Sequence, residues 1–262
     1  MRNILVTNDD GIDAPGLGAL AAACRRLGEV TVVVPDRERS WVGKAITRFD
    51  PVRVEKVERD GFEAFAVSGY PADAVQLGIH ALAVAPDLVI SGINLGYNHG
   101  AGFLMSSGTV GAAVEAWISR IPSVALSTGT MTDWHAWRTA ATGDGSRANW
   151  QRLAELSVEL VGEVEAAGLG RHCDVISINL PYDADTSTER RVTTIARVGY
   201  DRLFAPDGAG VFVHAYGGGI NQIEAVEGSD IDAAHDGVIS VTPIRMPAAA
   251  MVPAEVRSRI EK

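Results

Sequence analysis

Short uninterrupted apolar runs, separated by stretches of helical composition, constrain this fold more than any other feature. Ile4–Val6, Val30–Val34, Leu88–Ile90, Ser123–Leu126 and Val175–Leu180 are largely apolar and often β-branched, and they do not alternate with polar residues. Strands with that pattern are buried on both faces, as in a parallel sheet covered by helices. The intervening segments read as those helices. They are Gly16–Leu27, Ala72–Val84 behind Pro71, Gly108–Ile118, and Trp150–Ala167 with an amphipathic pattern. Phe65–Val67 reads as a further short strand. Strand alternating with helix predicts an α/β fold: a Rossmann-like three-layer molecule built on a mostly parallel sheet.

The texture changes twice. Residues 128–150 carry Trp134, Trp137 and Trp150 beside a Gly-Asp-Gly-Ser stretch, and read as a loop or irregular insertion. Beyond Arg190 the chain becomes β-like over 192–198 and 208–213, with a flexible turn at Gly217–Gly219, a strand at Val238–Val241 and a short helix at 254–262. We therefore expect a catalytic core over 1–190 and a C-terminal β-rich extension over 191–262.

Four motifs fall where the strands end. Asn8-Asp9-Asp10-Gly11 follows the first strand and sets two carboxylates side by side. Adjacent like charges raise each other's pKa, and a hard divalent cation relieves them; a helix-capping turn is the plainer alternative. Asp36-Arg37-Glu38-Arg39-Ser40 follows the second strand, where Ser40 offers a hydroxyl. Ser91-Gly92-Ile93-Asn94 continues through Asn98, with glycines at 92, 96 and 100. Asn94 can offer a metal its amide oxygen, and Asn98 can donate to a phosphate or a sugar. Ser107-Gly108-Thr109 opens a helix, whose exposed N–H groups and hydroxyls suit an anion. In an open α/β sheet these strand ends share one edge, where ligands bind. Together they read as a divalent cation beside a phosphate pocket, the equipment of metal-assisted phosphoester hydrolysis.

Other classes are disfavoured. No Walker A loop and no GxGxxG fingerprint occurs, which argues against a P-loop enzyme and a dinucleotide-dependent oxidoreductase. The formal charge of −10 argues against a general binder of nucleic-acid duplexes. Two distant cysteines, Cys24 and Cys173, build neither a disulfide framework nor a thiolate zinc site. No signal peptide or membrane span is apparent, so a soluble cytoplasmic protein is expected.

The chain resembles the SurE (stationary-phase survival protein) family of metal-dependent nucleotidases. The resemblance rests on ILVTNDDGIDAPGL from Ile4, FAVSGYPADAVQL from Phe65, LVISGINLG from Leu88, SGTVGAAVE from Ser107 and DGVISVTP from Asp236, in the family's order. It implies that Asp9, Asp10, Ser40 and Asn94 bind the metal, with Asp9 or Asp10 also serving catalysis. Asn98, Ser107, Gly108 and Thr109 would hold the phosphate, and Asn8 would lie beside the metal and contact the substrate. It further implies one divalent ion per subunit (Mg²⁺ or Mn²⁺, with Ca²⁺ a possible occupant) and hydrolysis of nucleoside 5′- or 3′-monophosphates. A homodimer or homotetramer that exchanges C-terminal elements is also implied. A member that has lost catalysis, or that acts on another phosphoester, is the alternative. The chain departs from the family at Trp41-Val42-Gly43, where Gly commonly follows the serine. It also departs at Ala101-Gly102, where acidic residues are common, and at Ser106, where an aromatic is usual.

Overall fold

The computed structural model describes residues 1–59, 61–82, 84–200, 202–216, 220–222, 227–247 and 253–261. The first half alternates as β1 (Asn3–Thr7), α1 (Leu17–Cys24), β2 (Glu29–Pro35), β3 (Val54–Arg59), β4 (Phe62–Val67), α2 (Pro71–His80), β5 (Leu88–Leu95), α3 (Gly100–Ser106), α4 (Gly108–Ile118) and β6 (Ser123–Gly129). The second half holds α5 (Trp134–Thr142), α6 (Arg147–Ala166), β7 (Val175–Pro181), β8 (Arg190–Val192), β9 (Val198–Tyr200), β10 (Phe204–Pro206), β11 (Phe212–His214), β12 (Ile220–Gln222), α7 (Asp230–His235), β13 (Ile239–Ile244) and α8 (Ala254–Ile260).

The central sheet has the order β3-β4-β2-β1-β5-β6-β7-β13-β8. Every pair from β4 to β7 is parallel. The antiparallel pairs of this sheet are β3 on β4 and β13 on β7. The apolar runs predict this arrangement, because both faces of each central strand are covered. Ile4, Val6, Val32 and Ile90 join one buried cluster with Leu20 of α1 and Leu153 and Leu160 of α6. Leu5, Val33 and Val89 point the other way, into a second cluster with Val75 of α2 and Ala112 and Ala116 of α4. β1 pairs with β2 on one side and β5 on the other, so the strand order reverses there. The crevice beyond the carboxyl ends at such a reversal is where ligands bind in open α/β sheets.

Two sequence expectations need correction. Residues 128–150 are not an irregular insertion. β6 runs to Gly129, α5 starts behind Asp133, whose side chain accepts the Ala136 N–H, and a 3-10 turn over Asp144–Ser146 leads directly into α6. Its mixture of Trp, Thr, Gly and Asp hid the helical period. The tryptophans also do different jobs: Trp150 is 1% exposed, lies against Gly16 and donates its indole N–H to Ala141 O at 2.8 Å. β5 does not stop at Ile90 but carries the Ser-Gly-Ile-Asn motif within the strand. Residues 100–106 form α3. The Gly217–Gly219 turn lies outside the described residues. The C-terminal part also returns a strand, β13, to the central sheet beside β7.

Candidate active site

β1 delivers its motif into a turn that the motif itself stabilises. Asn8 Oδ1 accepts the Gly11 N–H at 3.0 Å, and Asn8 Nδ2 donates to Gly11 O at 3.0 Å. Gly11 has a φ of +88°, and a Cβ there would stand 2.5 Å from the Arg37 carbonyl carbon. Only glycine meets both demands. The loop after β2 therefore lies directly on this turn. Ile12 N donates to Pro35 O at 2.9 Å, and Arg39 N donates to Asp9 O at 2.7 Å. Asn8 has both amide atoms engaged on Gly11, so its side chain shapes the turn.

Asp9 points at the N-terminus of α4. Its Oδ1 accepts a short hydrogen bond from Thr109 Oγ1, and both side chains are buried. A Cβ on Gly108 would come within 2.7 Å of Asp9 Cβ, so glycine is what lets the carboxylate approach the helix end. Ser107 caps the same helix, its hydroxyl accepting the Val110 N–H at 3.1 Å. The positive end of a helix suits an anion at this position.

Burial nevertheless pushes the Asp9 carboxyl above its ordinary range, against the opposing pull of Thr109 and of the Thr109 and Gly108 amides. Asp10 is raised as well, first by burial and then by the charge of Asp9, with Glu38 adding to the rise and Arg138 opposing it. A buried carboxylate beside a half-buried one makes a candidate site for a cation.

The surrounding donors fit a hard divalent ion. Asp10 Oδ2 accepts the Leu95 N–H at 3.0 Å, which brings the second carboxylate to the end of β5 beside Asn94. Asn94 donates its amide N–H to Gly96 O at 2.7 Å, leaving its Oδ1 as the donor available to a metal. Ser40 donates to Glu38 Oε1 at 2.7 Å, so its oxygen keeps its lone pairs. Among the described residues no three His, Cys, Asp or Glu side chains form a metal cluster. An ion here would take two carboxylates and complete its shell with amide and hydroxyl oxygens, a set suited to Mg²⁺ or Mn²⁺.

The β1 turn, the β5 end and the α4 start thus converge, with the backbone before Ser40 bonded to Asp9. Asn98 is anchored to the next two strands, β6 and β7: its N–H donates to Asn179 Oδ1 at 2.8 Å and its Nδ2 to Ser127 Oγ at 2.8 Å. Ser127 and Asn179 escape a sequence reading because they sit inside the apolar runs of β6 and β7. The Arg138–Glu38 ion pair, 3.6 Å, is equally invisible, since it joins α5 to the Ser40 loop across a hundred residues of chain. His99, the histidine nearest these motifs, is buried beside Tyr97 and Phe103. Burial pulls its pKa down to about 4, so it is neutral at physiological pH and no ready proton donor.

A doubly wound α/β sheet with paired carboxylates at its strand-order reversal, set against a helix N-terminus, defines a class: α/β proteins with candidate cation and anion sites at the carboxyl edge of the sheet. The comparisons with known proteins narrow the class to a family. The model of the family described as "Survival protein SurE" matches residues 4–202. The chain belongs to the SurE family. It is 41% identical over 248 residues to "5'-nucleotidase SurE" of Geobacter sulfurreducens, covering 93% of this chain and 88% of that one. It is 38% identical over 263 residues to the protein of the same name from Methanothrix thermoacetophila, covering 96% of each. The fold matches the crystal structure of the SurE protein from Aquifex aeolicus with a TM-score of 0.75, at 30% identity and 99% coverage of both chains.

Proposed function

We propose that this protein is a metal-dependent phosphomonoesterase that hydrolyses nucleoside 5′- or 3′-monophosphates to nucleoside and phosphate. The observation that carries the reading is the Asp9–Asp10 pair held against the N-terminus of α4. The relatives named 5'-nucleotidase support the substrate class. Asp9, Asp10, Ser40 and Asn94 would hold one divalent ion, Mg²⁺ or Mn²⁺. When bound, that ion supplies a Lewis acid beside the phosphoryl group. Ser107, Gly108 and Thr109 at the start of α4, together with Asn98, would bind the phosphate oxygens and stabilise charge that develops on them. Thr109 would also fix the rotamer of Asp9, because its hydroxyl already donates to that carboxylate. Either aspartate could accept the proton of the attacking water.

We further infer a homodimer or homotetramer in which residues 191–262 contribute to the contact. No helix among the described residues is long and apolar enough to cross a membrane. Cys24 and Cys173 are both free thiols, which supports a reducing, cytoplasmic setting.

The test is phosphate release from a panel of nucleoside monophosphates by chelator-stripped protein, with and without added Mn²⁺ or Mg²⁺. Release restored by metal, and lost in Asp9→Asn together with Mn²⁺ affinity measured by calorimetry, is the expected result. Near-wild-type turnover in Asp9→Asn, or no release from folded protein with either metal, overturns the assignment.

A further inference from the structure

The segment that separates Ser40 from α4 carries a tryptophan whose setting none of the proposed metal or phosphate contacts explains. Residues 39–44 strap the two halves of the site together. Arg39 N donates to Asp9 O at 2.7 Å, and Gly43 N donates to Ser106 O at 2.8 Å, one residue before the capping Ser107. Trp41 lies midway along this strap, beside Ser40. Its φ is +61°, a left-handed conformation that bulky residues rarely adopt and that costs the fold free energy. Glycine would sit there without strain, yet the chain places its largest side chain there.

Tertiary contacts hold that side chain. The indole centroid is 5.8 Å from Phe103 of α3, 5.1 Å from Tyr200 at the end of β9, 5.2 Å from His214 at the end of β11 and 5.5 Å from Tyr216. Phe103 is in turn 5.8 Å from Tyr200 and 5.7 Å from Tyr216. The four rings meet the indole at interplanar angles of 56° to 70°, so none stacks flat on it. Despite four aromatic neighbours, Trp41 remains 37% exposed. Core packing does not account for a residue that is strained, ring-clamped and still open to solvent.

We propose that Trp41 is the surface on which the base of a nucleoside monophosphate stacks, making it a specificity-determining residue. The proposal rests on the nucleotidase reading and deepens it. The Gly43–Ser106 hydrogen bond sets the strap against the start of α4, so Trp41 would flank a nucleoside whose phosphate sits at Ser107 and Gly108. An aromatic face there binds any base, because every base presents a π-face. Clamping the indole in advance lowers the entropic cost of binding.

The experiment compares kcat/KM for adenosine 5′-monophosphate with that for ribose 5-phosphate, which shares the phosphoester and lacks the base. It uses metal-loaded wild type, Trp41→Leu, Trp41→Phe and Trp134→Ala. Leucine keeps apolar bulk without a π-face. In Trp41→Leu the ratio of the two values should fall about 5- to 150-fold, the range typical of losing one base–aromatic stack. Trp41→Phe should keep most of the ratio. The dissociation constant of adenosine 5′-monophosphate, measured by calorimetry, should rise in Trp41→Leu by a similar factor. An unchanged ratio, equal loss on both substrates, or a fall confined to Trp134→Ala overturns the proposal. Release from ribose 5-phosphate with no preference for the nucleotide also overturns it, while the phosphatase reading stands. No release from either substrate, with nucleotide binding still weakened in Trp41→Leu, leaves the stacking proposal standing and removes the nucleotidase reading.

Discussion

Gly108 shows how closely the site is built at the scale of single atoms. Its missing side chain is the space that Asp9 occupies, with Asp9 Oδ2 only 2.9 Å from where a Cβ would stand. Gly108→Ala should therefore displace the carboxylate more than it unfolds the protein. Overpacking of this kind costs about 1–3 kcal/mol. A modest fall in melting temperature should thus accompany a clear loss of Mn²⁺ affinity by calorimetry, and unchanged Mn²⁺ affinity in Gly108→Ala would count against the placement. The carboxylates also set a pH dependence. Both aspartates are raised above the ordinary 3.8, by burial and, for Asp10, by Asp9 as well. A raised carboxyl leaves the fold most stable while protonated, and that stability is lost as pH climbs from 3.8 through the raised values. A divalent ion needs the deprotonated pair and would reverse the loss. The rise in melting temperature on adding Mn²⁺ should consequently grow with pH above 3.8, and a metal effect independent of pH would contradict it.

At the scale of elements, α5 and α6 explain how a segment of unpromising composition becomes part of the site. Trp150 is buried between α1 and the end of α5, donating to Ala141 O and filling the space beside Gly16. That anchor fixes α5, which presents Arg138 to Glu38 and leaves Trp134 over Gly96. Trp150→Ala should cost about 3–5 kcal/mol of stability, as buried aromatics do, measurable by urea unfolding. Trp134→Ala, by contrast, removes a residue 39% exposed and should cost far less. Equal costs would mean that α5 is not anchored through Trp150. The β5 strand makes the complementary point: by running on to Leu95 it carries Asn94 and the Leu95 amide to the side of Asp10.

For the whole molecule, the C-terminal part has two characters. β13 completes the central sheet, and Asp230 ties α3 to the segment before β9, accepting from Gly100 N at 2.7 Å and Ala196 N at 3.0 Å. The β10–β11 hairpin, in contrast, exposes Phe204 at 55% and Phe212 at 64%. Exposed apolar side chains on one hairpin suit burial against a second subunit. Light scattering of the chromatographed protein should report a dimer or tetramer, and the paired change Phe204→Ser with Phe212→Ser should yield a smaller species with an intact central fold. A monomer in the unaltered protein would remove the hairpin from any assembly.

Much of this was legible in the chain. Continuous apolar runs announce a parallel sheet, because only strands covered on both faces can afford no polar side. Asp9, Asp10, Gly108 and Thr109 are readable as candidate site residues, because strand ends and helix starts have local signatures. Local pattern could not reveal what depends on distance in space. Ser127 and Asn179 hold Asn98 from within apolar strands, Arg138 reaches Glu38 from another element, and four aromatic side chains far along the sequence from Trp41 meet there. Period and capping are properties of neighbouring residues. Which carboxylate faces which helix, and which ring closes on which, follows only when packing brings those neighbourhoods together.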